Sequence, residues 1–251
     1  MTLGPPTRLT CPHCGKSKYI LSIASGNTFG ATHWSDTKHD YPMLRHPSSV
    51  QRCPHCDGYF FYEDSKPVDC NPDALSEKHS LTDWDAEWSG DAGNATISEK
   101  KDRKRYWERW EKANANGFGD LTFGETDAAF DGLYASADKT RQQMLLFMWL
   151  YSFNDTFGGR QMGNTPDCPP AVLERRKFVV EELCQRIEGS NLLLAELHRE
   201  MGDFEACIRI AEIPSPDVNP FLGKIISEQI IAHAKAGDTN VFELDFSSYR
   251  E

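Results

Sequence analysis

Cys11-Pro12-His13-Cys14-Gly15 and Cys53-Pro54-His55-Cys56-Asp57-Gly58 decide the reading of this chain, because they are two copies of one device. A C-x-x-C turn lets two thiolates face one cation while backbone N–H groups of the turn point at the sulfurs. Proline after the first cysteine presets φ near about −65°. Gly15 or Gly58 lets the chain leave the turn in a conformation closed to residues with a Cβ. Four thiolates suit tetrahedral Zn²⁺ and leave no open coordination position. Cys11, Cys14, Cys53 and Cys56 are therefore expected to hold one structural zinc. Iron in a rubredoxin-like site would use the same ligands, so both metals stay open at this point. Two independent redox C-x-x-C motifs are disfavoured, since neither pair sits in a βαβ pattern.

Thirty-eight residues separate Cys14 from Cys53, more than the roughly 15–20 of compact zinc ribbons. Loop-closure entropy grows only logarithmically with length, and zinc binding to such ligands supplies on the order of 10 kcal/mol. The long spacing is thus compatible with one shared site. Lys18–Ile23 and Gly58–Tyr62 each read as a β-strand leaving a cysteine turn. Of the other cysteines, Cys184 and Cys207 fall at apolar helical positions and read as small core residues. Cys70 and Cys168 lie among loop residues, and Cys70 is near enough to Cys56 to stand in for a ligand.

The insert between the turns carries His33, His39 and His46 with Asp36 and Asp40. These could be drawn as a second metal or acid–base site, but they lack a recognised ligand spacing. Thr32–Asp36 reads as a short strand before a turn. Trp34, Tyr41 and Met43 are costly to expose, so the insert is expected to pack on the ribbon or the helical part, with a presented binding face as the alternative.

The whole chain has 251 residues, 39% hydrophobic and 26% charged, with eight cysteines and a net charge of −11. That composition belongs to a globular protein long enough for a real core. No apolar run approaches the roughly 20 residues of a membrane-spanning helix. Met1 to Pro6 lack the charged head and apolar middle of a signal peptide, so the cytoplasm is expected, and with it reduced cysteines. Charge is uneven: residues 1–62 are net +3 and residues 63–95 net −7. An acidic protein is repelled by phosphate backbones, so only residues 1–62 and residues 96–112, the latter also net +3, have the sign for nucleic acid.

Residues 63–95 read as an acidic linker, with Trp84 and Trp88 at i, i+4. Thr96-Ile97-Ser98-Glu99 fits a capping box opening a helix through Asn114, with Tyr106, Trp107 and Trp110 as an aromatic stripe. From Glu125 onward the pattern is helical. A buried helix through Met144–Tyr151 ends near Gly158-Gly159, and Pro169-Pro170 open another that Gly189 stops. Helices at Asn191–Met201, Phe204–Ile213 and about Asn219–Ala236 follow, then a strand or extended docking segment at Asn240–Phe246. The expected fold is α+β: a zinc-ribbon domain at 1–62, a linker at 63–95 and an α-helical domain at 96–251.

Leu194-Ala195-Glu196-Leu197-His198-Arg199-Glu200-Met201-Gly202-Asp203-Phe204-Glu205-Ala206-Cys207-Ile208 resembles a tetratricopeptide-type helical hairpin. Leu194, Ala195 and His198 match first-helix positions, Gly202-Asp203-Phe204 the turn, and Cys207 the small second-helix position. One unit, within 191–213, carries the resemblance. A solenoid normally needs about three repeats, so a repeat array and a helical bundle both stay open. As a whole, the chain resembles a group of uncharacterised bacterial proteins that join a long-insert zinc ribbon to such a region. The resemblance implies architecture and zinc and carries no activity.

No H-E-x-x-H, glycine-rich phosphate loop, G-x-S-x-G or deaminase H-x-E pattern occurs. No catalytic or cofactor-binding residue is assigned. The expectation is a non-catalytic zinc-binding protein that engages a protein or peptide partner and no membrane. Nucleic-acid binding through the ribbon is the alternative. An enzyme using the insert histidines comes third.

Overall fold

The computed structural model describes residues 2–69, 108, 109, 111–113, 115–160 and 167–247. Small antiparallel strands carrying the cysteine turns come first and a mostly helical region follows, so the fold is α+β. Contacts divide the chain into two units. One comprises Met1–Thr28 and Met43–Leu121, the other Phe29–Pro42 and Thr122–Glu251. These limits do not coincide with the 1–62 and 96–251 domains expected from composition. Residues 29–42 group with the helices, and Asn116–Phe118 hydrogen-bond to the ribbon strands. Most of the expected linker, the Thr96–Glu99 capping box, the Trp84–Trp88 pair, the stripe of Tyr106, Trp107 and Trp110, and Cys70 lie outside the described residues.

In the first unit, each cysteine turn is the loop of a β-hairpin. Strands β2 (Thr7–Thr10) and β3 (Ser17–Ile20) flank the first, with Leu9 opposite Lys18 and Thr10 opposite Ser17. Strands β7 (Val50–Arg52) and β8 (Tyr59–Phe61) flank the second, with Gln51 opposite Phe60. The strands that leave the turns were expected; those that enter them, β2 and β7, were not. Period-2 alternation points Leu9 and Ile20 inward, both fully buried, and leaves Arg8 exposed. Strand β1 (Thr2–Leu3) pairs with β4 (Ile23–Ser25), and β9 (Val68–Asp69) adds to the free edge of β2.

Residues 116–119 seal this unit. The Leu21 N–H donates to the Gly117 carbonyl at 2.8 Å, and Asn116 Nδ2 donates to the Tyr19 carbonyl at 2.8 Å. Gly119 has φ +76°, and a Cβ there would overlap the amide of the fully buried Gln51. Glycine at 119 is therefore fixed twice, by backbone conformation and by space.

The second unit begins, in chain order, with the insert. Strands β5 (Thr32–His33) and β6 (His39–Asp40) form a short hairpin. Helices α1 (Phe123–Leu133), α2 (Lys139–Thr156), α3 (Pro170–Arg186), α4 (Asn191–Glu200), α5 (Phe204–Ala211) and α6 (Pro220–Lys235) follow. Thr122 and Glu125 form a reciprocal capping box that opens α1. Pro170 sits in the first turn of α3, where its missing N–H costs nothing. Leu145, Leu146, Trp149 and Leu150 of α2 and Val179 and Leu183 of α3 are fully buried. A second cluster joins Leu192 and Ala195 of α4, Cys207 and Ala211 of α5, and Ile230 and Ala234 of α6. Cys207 is thus a core residue, as expected.

The tail is extended and docks on the insert. The Ser35 N–H donates to the Phe242 carbonyl at 3.0 Å, and the Leu244 N–H donates to the His33 carbonyl at 2.8 Å. Phe242 stacks on His233 with ring centroids 3.7 Å apart and packs against the α4–α6 cluster.

Candidate metal centre

The two hairpins bring Cys11, Cys14, Cys53 and Cys56 together, all four sulfurs lying within 4.8 Å of one another. Cys11 Sγ is 3.7 Å from Cys56 Sγ, and Cys14 Sγ is 3.7 Å from Cys53 Sγ. Both short edges cross between the hairpins. A tetrahedron of zinc–sulfur bonds of about 2.3 Å has edges of about 3.8 Å, so the cluster fits a tetrahedral cation. The same spacing far exceeds the roughly 2.05 Å of a disulfide, and all seven described cysteines are free thiols.

Each turn is closed by the same two backbone bonds. The Cys11 N–H donates to the Lys16 carbonyl and the Gly15 N–H to the Cys11 carbonyl. In the second copy the Cys53 N–H donates to Gly58 and the Asp57 N–H to Cys53, all four bonds at 2.9 Å. The position after the second cysteine turns left-handed in both, with φ +70° at Gly15 and +55° at Asp57. Aspartate tolerates that conformation. The turn-releasing role expected of Gly58 therefore belongs to Asp57. Gly58 is small for another reason: a Cβ there would lie 3.0 Å from the His13 ring.

The histidines inside the turns brace one copy against the other. His13 Nε2 lies 2.9 Å from the Tyr59 carbonyl, three residues past Cys56. His55 Nε2 lies 3.3 Å from the Ser17 carbonyl, three residues past Cys14. A carbonyl only accepts, so both rings carry the proton on Nε2. Sequence reading assigned them nothing, although the doubled C-P-H-C was the available signal. Lys18 adds a third tie, its Nζ donating to the Arg52 carbonyl at 2.9 Å.

Four thiols this close cannot all ionise without a compensating cation. Burial resists ionisation of Cys53, yet the N–H groups of His55 and Cys56 and the Cys56 and Cys14 thiols hold it down to about 7. For Cys56, the Gly58 N–H favours the thiolate, but desolvation and the thiols of Cys53, Cys14 and Cys11 push it up to about 12. A bound divalent cation would remove that competition, and the N–H···S bond from His55 to Cys53, at 3.4 Å, already favours charge on the sulfur.

The insert residues form no comparable group. The cysteine set is the one metal-ligand cluster among the described residues. His33 Nδ1 and His39 Nδ1 lie 2.7 Å apart, one donating to the other, and their rings meet edge to face beside Tyr41. Burial, then the neighbouring His33, lowers the pKa of His39. His46 belongs to the other unit. Asp40 accepts from the Trp34 indole at 2.8 Å, and Asp36 is buried in an ion pair with Arg160. Asp36 and Asp40 are thus engaged in pairing within the unit, and these residues form no metal-ligand cluster among the described residues.

No helix among the described residues is long and apolar enough to cross a membrane. No family model, curated protein or solved structure matches the chain.

Proposed function

We propose that the protein is a non-catalytic zinc-binding protein whose ribbon is held by one structural Zn²⁺ and which engages a protein or peptide partner in the cytoplasm. The observation that carries the zinc reading is the closed four-thiolate set with its 3.7 Å edges. Four sulfurs saturate tetrahedral zinc and leave no position for water or substrate. The cation would supply a cross-link between two small hairpins that share little apolar core. Cys11, Cys14, Cys53 and Cys56 would hold it, and His13 and His55 would fix the approach of the two turns.

The partner reading rests on the helical unit. Its α4–α5 hairpin follows the tetratricopeptide-like pattern, and helices of that kind offer grooves to peptides. Ile213 and Leu222 stand exposed, one just past the end of α5 and the other at the start of α6. Large exposed apolar side chains favour contact with another protein over contact with a polyanion.

The test is capture from native extract on the full-length wild type, on Cys11→Ser and on Ile213→Ser with Leu222→Ser. A defined protein retained by the wild type and lost in the helical double variant supports the reading. Retention of DNA or RNA alone would replace it with the ribbon-borne alternative.

A further inference from the structure

The insert hairpin is anchored on its unit by a carboxylate with no solvent exposure. Asp36 Oδ2 accepts from Asn154 Nδ2 at 2.9 Å and pairs with Arg160 Nη2, while Oδ1 accepts from the Lys38 N–H at 3.2 Å. Arg160 also binds Asp155 at 2.6 Å, and Lys38 reaches the same Asp155 at 2.7 Å. Asn154 is the centre of this arrangement. Its Nδ2 also donates to Glu200 Oε2 at 3.3 Å, and Arg176 Nη2 donates to that same oxygen at 3.2 Å. One amide nitrogen therefore serves two buried carboxyl groups, Asp36 from the insert and Glu200 from α4.

Two oxygens are left over. Asn154 Oδ1 and Glu200 Oε1 are both buried, and neither has a hydrogen-bond partner among the described residues. Arg160 Nε and Arg176 Nε are unpartnered as well, so neither reaches these oxygens within hydrogen-bonding geometry. A buried acceptor without a donor is destabilising, and here two such acceptors belong to groups already joined by an N–H···O bond. A side-chain amide and a carboxylic acid pair through two bonds, one N–H···O and one O–H···O. The first is present. The second requires a proton on Glu200 Oε1 directed at Asn154 Oδ1, and that proton would satisfy both oxygens at once.

We propose that Glu200 is a neutral carboxylic acid in the folded unit, donating from Oε1 to Asn154 Oδ1, and that docking of the β5–β6 hairpin is consequently linked to one proton. The proposal concerns the helical unit alone and is independent of the metal reading.

The charges facing Glu200 agree. Burial first, then the Glu196 carboxylate on the same helix, push it up to about 7, with Asp36 adding to the rise and Arg176 and Arg199 opposing it. Arg176 approaches from α3, Asp36 from the insert, and Arg160 from the segment after α2. Tyr151 of α2 and Cys184 of α3 also feel its charge. Arg199 is already committed to Glu196, both fully buried, so it offers Glu200 little compensation.

The sign of the linkage follows. A carboxyl whose folded pKa lies above its unfolded value of 4.5 keeps its proton longer in the folded state. Docking is then strongest below about pH 4.5, weakens as pH rises through the window to about 7, and levels off above it.

Two measurements on the full chain test this. Carboxyl ¹³C titration of the wild type should place the Glu200 midpoint near neutral pH. Hydrogen-exchange protection factors of the Ser35 and Leu244 amides, which bridge insert and tail, should fall by up to about tenfold per pH unit between pH 5 and 7. Glu200→Gln keeps a donor toward Asn154 Oδ1 and an acceptor for Arg176, so it should stay docked with protection independent of pH. A Glu200 midpoint in the ordinary carboxylate range would overturn the proposal. So would wild-type protection that is flat over that range, or a pH dependence that persists in Glu200→Gln. The wild-type titration decides the matter even if the variant folds poorly.

Discussion

The two units bury their interiors by different means. The ribbon unit has short strands, three or four residues each around the turns, and its contact between hairpins includes four cysteines, two histidines, the Lys18–Arg52 tie and Phe60. Among the described residues, the helical unit has six helices of 8 to 18 residues whose inner faces meet over leucine, isoleucine, valine and Trp149. Apolar burial scales with element length, so long helices build a core and two-stranded hairpins cannot. A cation held by the four cysteines, with ligand energies of order 10 kcal/mol, would make up the difference in the first unit. The second unit also buries charged groups in its interior, where Asp36, Glu196, Arg199 and Glu200 lie with Asn154.

That contrast can be broken one unit at a time. Cys11→Ser or Cys53→Ser should abolish metal binding and unfold the ribbon, while the helical far-ultraviolet signal persists; metal content and amide spectra read both. Arg160→Met leaves Asp36 buried and unpaired, which should cost about 3–5 kcal/mol in the helical unit without touching metal content. Urea unfolding measures it, and a loss near zero would mean that solvent reaches Asp36. Leu150→Ala should cost about 2–5 kcal/mol in the same unit, again with full metal content.

Smaller changes sharpen the comparison. His13→Ala and His55→Ala each remove one cross-brace and should cost about 1 kcal/mol in the ribbon. The expected readout is faster metal loss to a chelator, with both variants alike because the braces are equivalent. Thr122→Ala removes the side-chain half of the α1 cap and should cost about 1 kcal/mol in the helical unit alone.

The ease of reading the sequence follows the same division. The metal cluster was legible because each half is local: two cysteines, a proline and a turn residue within six positions specify a knuckle wherever it occurs. Helix limits were legible to within a residue or two at Pro170, Gly189 and Gly202, where proline or a left-handed glycine forces the issue. The Thr122–Glu125 cap carried the same signal as the one expected at Thr96–Glu99 and was passed over. The destination of the insert was not legible. Asp36 finds Asn154 and Arg160 across 118 and 124 residues, and a buried polar pairing leaves no periodicity to read. The histidines of the insert suggested chemistry because their residue types are reactive; packing, rather than spacing, decides what they do.

X-ray absorption at the metal edge of the purified full-length protein tests the central claim most directly. One zinc per chain with four sulfur scatterers at about 2.3 Å and no light-atom neighbour is the predicted result. A first shell containing nitrogen or oxygen, fewer than four sulfurs, or a different metal would contradict a closed zinc site.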